Sequence, residues 1–182
     1  MSFVGNITAK ESFDELISST DSVLIDVRSS RELCVDGVAV LENHPEKLLF
    51  CEWRSENPQN EKRKFLDDLF ARINFQLTSR LYFICRSGIR SLEAASYVGN
   101  ELSKTGVNIM CLNISDGFEG NALKMFGFGE RNGLKAAGLP VSKACMPDGF
   151  RGVRLSQLTG QKYNNNWKKR WALVPTKTGL HL

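Results

Sequence analysis

Residues 81–93 read LYFICRSGIRSLE, and the rest of the chain is placed by this stretch. Leu81, Tyr82, Phe83 and Ile84 form an apolar run with aromatic and β-branched members, the pattern of a strand buried on both faces of a parallel sheet. Cys85 stands where that strand ends. From Ser91 onward, Leu92, Ala95, Tyr97, Val98 and Leu102 recur at helical spacing. Between strand and helix lies a tight loop in which Gly88 permits a positive φ, so that successive N–H groups turn into one concavity at the helix N-terminus. A thiol at that rim faces unpaired N–H donors, a helix dipole and the charges of Arg86 and Arg90, all of which favour thiolate. Cys85 is therefore the expected nucleophile. The plainer alternative is a small buried hydrophobe at a strand end.

Upstream, Ser12 and Glu15 have the spacing of a capping box and predict a first helix over about 12–19, with Phe3 and Ile7 in a preceding edge strand. Residues 23–28, VLIDVR, read as a second buried strand ending in charge. Residues 48–53, LLFCEW, read as a third, followed by a polar loop and a helix over about 60–74 with Phe65, Leu66, Leu69, Phe70 and Ile73 on one face. Lys104-Thr105-Gly106 is a helix stop, and residues 107–113 give a last strand. Strands alternating with helices predict an α/β domain of three layers: a mostly parallel central sheet of about five strands with helices on both faces. Ligands of such sheets sit beyond the carboxyl ends of the strands, which places Trp53 on the same edge as Cys85, as a substrate wall or as core packing.

The loop CRSGIRS resembles the active loop of the rhodanese family, Cys-Arg-any-Gly-any-Arg or Thr, with Cys85, Arg86, Gly88 and Arg90 in its four defined places. The resemblance implies a sulfurtransferase: the cysteine takes the outer sulfur of an anionic donor such as thiosulfate as a persulfide and passes it to a thiol or to cyanide. It implies Cys85 as catalytic residue and Arg86, Ser87, Gly88, Ile89, Arg90 and Ser91 as the substrate-binding loop. Two loop arginines point to thiosulfate over mercaptopyruvate. Asp26 and Arg28, in IDVR, match the family's Asp-any-Arg strand end and are expected to brace the loop, with Arg28 paired to an acid such as Glu32. Asp116 to Gly120 matches its glycine-containing segment beside the loop, making Gly117 a supporting residue. The segment from Arg31 to Pro45 lacks the family's usual Gly-His-Ile turn. Residues 133–140 resemble the closing stretch, so the rhodanese-like domain is expected to span 1–141. Cysteine phosphatases and arsenate reductases use a longer loop with arginine at the position held here by Ser91; their chemistry is the alternative, and a non-catalytic binding or regulatory module is the other.

The 182 residues carry a net charge of +4, with 42% hydrophobic and 24% charged residues, an ordinary globular balance. From Arg151 to the end there are seven Lys or Arg and no Asp or Glu, so the stretch carries +7 and residues 1–150 carry −3 (17 basic, 20 acidic). A basic extension over 142–182, irregular or a small hairpin, is expected, with Tyr163, Trp167 and Trp171 available to an acidic or nucleic-acid partner. Five widely spaced cysteines and two histidines suggest neither a disulfide framework nor a metal site. Cys51 and Cys111 read as core residues, Cys34 and Cys145 as more exposed. No cofactor is called for. With no apolar run of membrane length and no leader pattern, a cytoplasmic protein without membrane contact is expected.

Overall fold

Residues 81–84 do form the middle of a sheet. The computed structural model describes residues 3–41, 44–54, 58–120 and 132–142. In chain order these give β1 (Phe3–Ile7), α1 (Ala9–Ser18), β2 (Ser22–Asp26), α2 (Ser30–Asp36) and β3 (Val38–Ala39). A 3-10 turn at Pro45–Lys47 leads into β4 (Leu48–Phe50), then α3 (Gln59–Phe70), β5 (Arg80–Ile84), α4 (Ile89–Thr105), β6 (Met110–Ile114) and β7 (Val141–Ser142). Five strands form one sheet in the order β1-β6-β5-β2-β4, every pairing parallel. β3 and β7 make a separate antiparallel pair.

Alternation along each strand sends successive side chains to opposite faces, and each face has its own helices. Ile25, Leu49, Leu81 and Phe83 pack with Phe65, Leu69 and Phe70 of α3 and with Ala95, Val98 and Leu102 of α4. Leu24, Leu48, Tyr82, Ile84 and Leu112 pack with Ala9, Phe13 and Leu16 of α1 and Leu33 of α2. This is the three-layer α/β arrangement, a parallel sheet between two layers of helices, that the alternation of strands and helices predicts. Each large apolar side chain withdrawn from water contributes about 1.5–3 kcal/mol, so the two cores make β5 the least displaceable strand.

Register levels the carboxyl ends. Asp26 stands opposite both Ile84 and Phe50, and Asn113 opposite Phe83. The ladder then runs on past the strands, with Val27 N–H donating to Ile84 O, Cys51 N–H to Asp26 O and Trp53 N–H to Val27 O. Cys85 thus leaves the middle of a firmly tied edge.

The first helix starts earlier than its sequence predicts. Thr-x-x-Glu and Ser-x-x-Glu occur in tandem in TAKESFDE, and the former caps: Thr8 Oγ1 accepts from Glu11 N–H while Glu11 accepts from Thr8 N–H. Ser12 is buried instead and donates to Ala9 O. Asp116 Oδ1 accepts from Ala9 N–H at 2.8 Å, which fixes the earlier start. A second capping box, Ser29 with Glu32, opens α2, an element absent from the sequence reading. The α4 stripe also differs, because that helix begins at Ile89: Leu92 is 42% exposed and the buried face is Ser91, Ala94, Ala95, Val98 and Leu102. Among the described residues no helix is long and apolar enough to cross a membrane. The basic extension lies outside the described residues beyond Ser142, and so does Cys145.

Candidate active site

Cys85 follows the last residue of β5 and is 1% exposed. Its Sγ receives two hydrogen-bonding groups from its own loop: Gly88 N–H at 3.1 Å and Ser91 Oγ at 3.2 Å. Gly88, with φ 89°, is the N-cap of α4, a 17-residue helix whose positive end therefore faces the sulfur. The first intrahelical bond beside the loop runs from Leu92 N–H to Gly88 O, so the N–H groups of Ile89, Arg90 and Ser91 precede it and have no partner within the helix. Gly88, placed by its positive φ, is the loop N–H donor that reaches the thiol.

Ser91 links the thiol to a buried polar chain. Its Oγ also lies 2.7 Å from Asn113 Oδ1, and Asn113 Nδ2 donates to Asn6 Oδ1 at 2.9 Å, which sets the amide's orientation. A hydroxyl has one proton, so Ser91 donates to Asn113 while accepting from a thiol, or donates to a thiolate. Ser91 and Asn113 are 0% and 2% exposed.

A second turn, after β6, holds the loop in shape. Phe118 N–H donates to Cys85 O at 2.9 Å and Glu119 N–H to Arg86 O at 3.0 Å. The two backbones are packed without room for side chains. A Cβ on Gly117, whose φ is 63°, would stand 2.6 Å from Arg86 O and 2.8 Å from Ser87 N, and one on Gly88 would collide with Ser115 O. Gly117 is thus a contact residue of the loop, as its position in the sequence suggests.

Asp26 and Arg28 support that turn from beneath. Both side chains are fully buried; Asp26 accepts from Arg28 N–H at 3.1 Å, Nε at 2.9 Å and Nη2 at 2.6 Å. Arg28 Nη2 also donates to Gly37 O, and its Cζ lies 3.6 Å from the centre of the Phe118 ring. Arg28 Nη1 is buried without a hydrogen-bond partner. The brace reaches Cys85 through Phe118, whose N–H holds the Cys85 carbonyl, and Arg28 is paired with Asp26, not with Glu32 as its sequence neighbourhood suggests. The strand-end carboxylate is spent on Arg28 and gives nothing directly to the loop.

Glu32 pairs instead with Arg90, Nη2 to Oε1 at 2.5 Å and Nη1 to Oε2 at 3.0 Å. Burial works to raise the Glu32 carboxyl, but hydrogen bonds from Arg90 and from Ser29 outweigh it and hold it at about 2, against 4.5 ordinarily. Arg86 is exposed, Ser87 half-buried and Ile89 65% exposed, so the mouth of the loop is Arg86 and Ile89.

Trp53 is placed in the core, 2% exposed, with ring centroids 5.0 Å from Phe65 and 5.3 Å from Tyr97 and its Nε1 donating to Glu93. It packs α3 and α4 against the sheet, the core-packing alternative of the two read from the sequence; beyond the strand end, the continuing ladder turns it inward. Burial pushes the Cys51 and Cys111 thiols up to about 12, in keeping with their reading as core residues, and Cys34 is half-buried against the α1 face. A cavity of about 470 Å³ lies against α1, lined by Glu15, Ser19, Arg80 and Met110 among others, at the amino ends of β5 and β6. No loop residue lines it, and Cys85 is at the other end of the strand.

No family model matches the chain. It is 37% identical over 118 residues to an uncharacterized Rickettsia rickettsii protein, a homolog of RP600, spanning 65% of this chain and 86% of that one. The RP600 protein of Rickettsia prowazekii is 34% identical over the same length. Among solved structures, that of Rv0390 from M. tuberculosis matches with a TM-score of 0.60 and 31% identity, over 79% of this chain and 100% of that one. A rhodanese-like domain protein from Staphylococcus aureus matches at 20% identity with a TM-score of 0.42, over 78% and 99% of the two chains.

Proposed function

The chain belongs to the family of RP600 and its Rickettsia homologues, and from its site we propose that it is a sulfurtransferase carrying sulfane sulfur as a persulfide on Cys85. The observation that carries this reading is the pair of contacts on one sulfur, Gly88 N–H at 3.1 Å and Ser91 Oγ at 3.2 Å, at the N-terminus of α4. Both are suited to a thiolate, and the helix end beside it to the charge that follows.

In the forward step the Cys85 thiolate attacks the outer sulfur of thiosulfate. One S–S bond forms, the donor's S–S bond breaks, and sulfite leaves with the bonding pair; the terminal sulfur of Cys85–S–S⁻ then carries the charge. In the second step an acceptor thiolate or cyanide attacks that terminal sulfur and the Cys85 thiolate leaves. On this reading Gly88 N–H, which already reaches Cys85 Sγ, and the N–H groups of the first turn of α4, which have no partner within the helix, stabilise the terminal sulfur, and Arg86 draws the anionic donor. The loop is too short for the arginine that phosphatase and arsenate reductase cradles use: Ser91 holds that position, is buried and contacts the sulfur itself.

The test is intact mass of the reduced protein before and after thiosulfate, with Cys85→Ser in parallel. We expect a gain of one sulfur atom, removable by a thiol and absent in the variant. A protein that gains no sulfur, or gains it equally in Cys85→Ser, overturns the reading.

A further inference from the structure

One of the two loop arginines is already engaged. Arg90 makes a two-pronged ion pair with Glu32, at 2.5 and 3.0 Å, and the two side chains are only 29% and 23% exposed. Glu32 cannot swing away freely, because it is the third residue of α2 and its Oε2 also accepts from Ser29 N–H at 2.9 Å and Ser29 Oγ at 2.8 Å. The carboxylate, held at about 2, is ionised throughout the neutral range. The same contact raises Arg90, with lesser contributions from Cys85 and Asp26, so the guanidinium is within electrostatic range of the nucleophile. Arg86, by contrast, is exposed and has no ion pair among the described residues.

A dianion approaching Cys85 therefore meets one open cation and one that is compensated. Building on the persulfide reading, we propose that Glu32 is a charge filter: by neutralising Arg90 it tilts the site away from dianionic thiosulfate and toward hydropersulfide donors, R–S–S–H. Such a donor needs no second cation. The Cys85 thiolate attacks its outer sulfur, one S–S bond forms as one breaks, R–S⁻ leaves with the bonding pair, and the proton stays on the transferred sulfur as Cys85–S–S–H. Charge is conserved, sulfane sulfur keeps its oxidation state, and no further reactant enters.

The experiment compares kcat/KM for thiosulfate and for hydroxyethyl persulfide in the wild type and in Glu32→Gln. Glutamine removes the charge and keeps one oxygen for the capping-box hydrogen bonds, while its N–H2 group takes the place of Oε1 and ends that prong of the Arg90 pair. The ratio should shift toward thiosulfate by about three- to tenfold, the scale of one partly screened charge beside a dianion, and more at low salt. In an Arg90→Ala background the same change should shift nothing, since the effect passes through Arg90. An unchanged ratio, or a shift that persists without Arg90, overturns the filter. If the wild type takes sulfur from neither donor, the persulfide reading falls by itself. The filter is then decided by calorimetric binding of thiosulfate to Cys85→Ser with and without Glu32→Gln, where equal affinity overturns it and tighter, more salt-dependent binding in the double variant sustains it.

Discussion

Replacing Asp26 by alanine removes the only counter-charge that Arg28 touches among the described residues, and the structure sets the scale of the result. Three N–H groups of Arg28 point at that carboxylate, at 3.1, 2.9 and 2.6 Å, and neither side chain reaches water. After the change, Nη2 keeps Gly37 O and the guanidinium keeps the face of Phe118, but Nε joins Nη1 as a buried donor without an acceptor. Breaking a fully buried pair from one side costs about 3–5 kcal/mol, because an unpaired charge stays in a medium that solvates it poorly. At about 2–4 °C per kcal/mol for a chain of this size, the thermal midpoint falls by roughly 6–20 °C. Removing both charges is a different perturbation. Asp26→Leu with Arg28→Met fills a similar volume without ions, and such replacements are often neutral or stabilising, so the double variant should unfold above the single one. The assay is reversible thermal or denaturant unfolding of wild type, Asp26→Ala and the double variant at neutral pH. A single-variant loss below about 1 kcal/mol, the worth of an exposed pair, would refute the buried-charge argument. So would a double variant no more stable than the single one.

Two further outcomes follow from the same geometry. Gly117→Ala should slow persulfide formation on Cys85 out of proportion to a stability loss of about 1–2 kcal/mol from the left-handed backbone, since its Cβ would push Arg86 O from 2.6 Å; stopped-time mass spectrometry beside unfolding checks it, and an unaltered rate would show that the two turns do not interlock. The Glu32 carboxyl is lowered from 4.5 to about 2, so the stability it contributes is fully present above about pH 4.5 and is lost as pH falls toward 2. The stability difference between wild type and Glu32→Gln should narrow across that interval, and a difference that stays constant to pH 2 would refute the pairing.

What could be read from the chain divides along a physical line. Strand identity and order of elements followed from apolar runs, because a strand covered on both faces has no polar option at Leu24, Ile25, Leu81 or Phe83. The loop was legible for the same local reason: Gly88 has its positive φ and its N–H reaches Cys85, three residues away. Ion partners were not. Arg90 meets Glu32 across 58 residues and Arg28 meets Asp26 across two, and nothing within a sequence window ranks the near acid against the far one. The capping boxes at Thr8 and Ser29 carry the Thr/Ser-x-x-Glu signal openly, yet the tandem Ser12-x-x-Glu15 match competes with the first, and only the contact of Asp116 with Ala9 decides. Phe118 and Asn113 carried no chemical signal by themselves. They act by lying beside Cys85 once β6 pairs with β5, where Phe83 and Asn113 share a register.

The strongest argument that this edge of the sheet is a working site comes from where the fold places its buried polar groups. Asp26, Arg28, Ser91 and Asn113 are four of the seven buried polar or charged side chains among the described residues. All four lie at the carboxyl ends of neighbouring parallel strands or in the first turn of α4; Ser91 touches Cys85, Asn113 touches Ser91, Arg28 touches Phe118, and Asp26 anchors Arg28. Of the other three, Lys47 is accounted for by the end of α1, where it donates to Leu16 O and Ser19 O, Ser12 by Ala9 O, and Ser22 by the Ser19 hydroxyl. A core selected for stability alone would fill the space under Phe118 with aliphatic carbon, since burying a guanidinium with one nitrogen unpaired is unfavourable even beside its carboxylate. The arrangement becomes reasonable if its return is geometric: a planar, doubly anchored cation fixes the Phe118 ring, Phe118 N–H fixes the Cys85 carbonyl, and the loop is left with its N–H groups turned inward before any donor arrives.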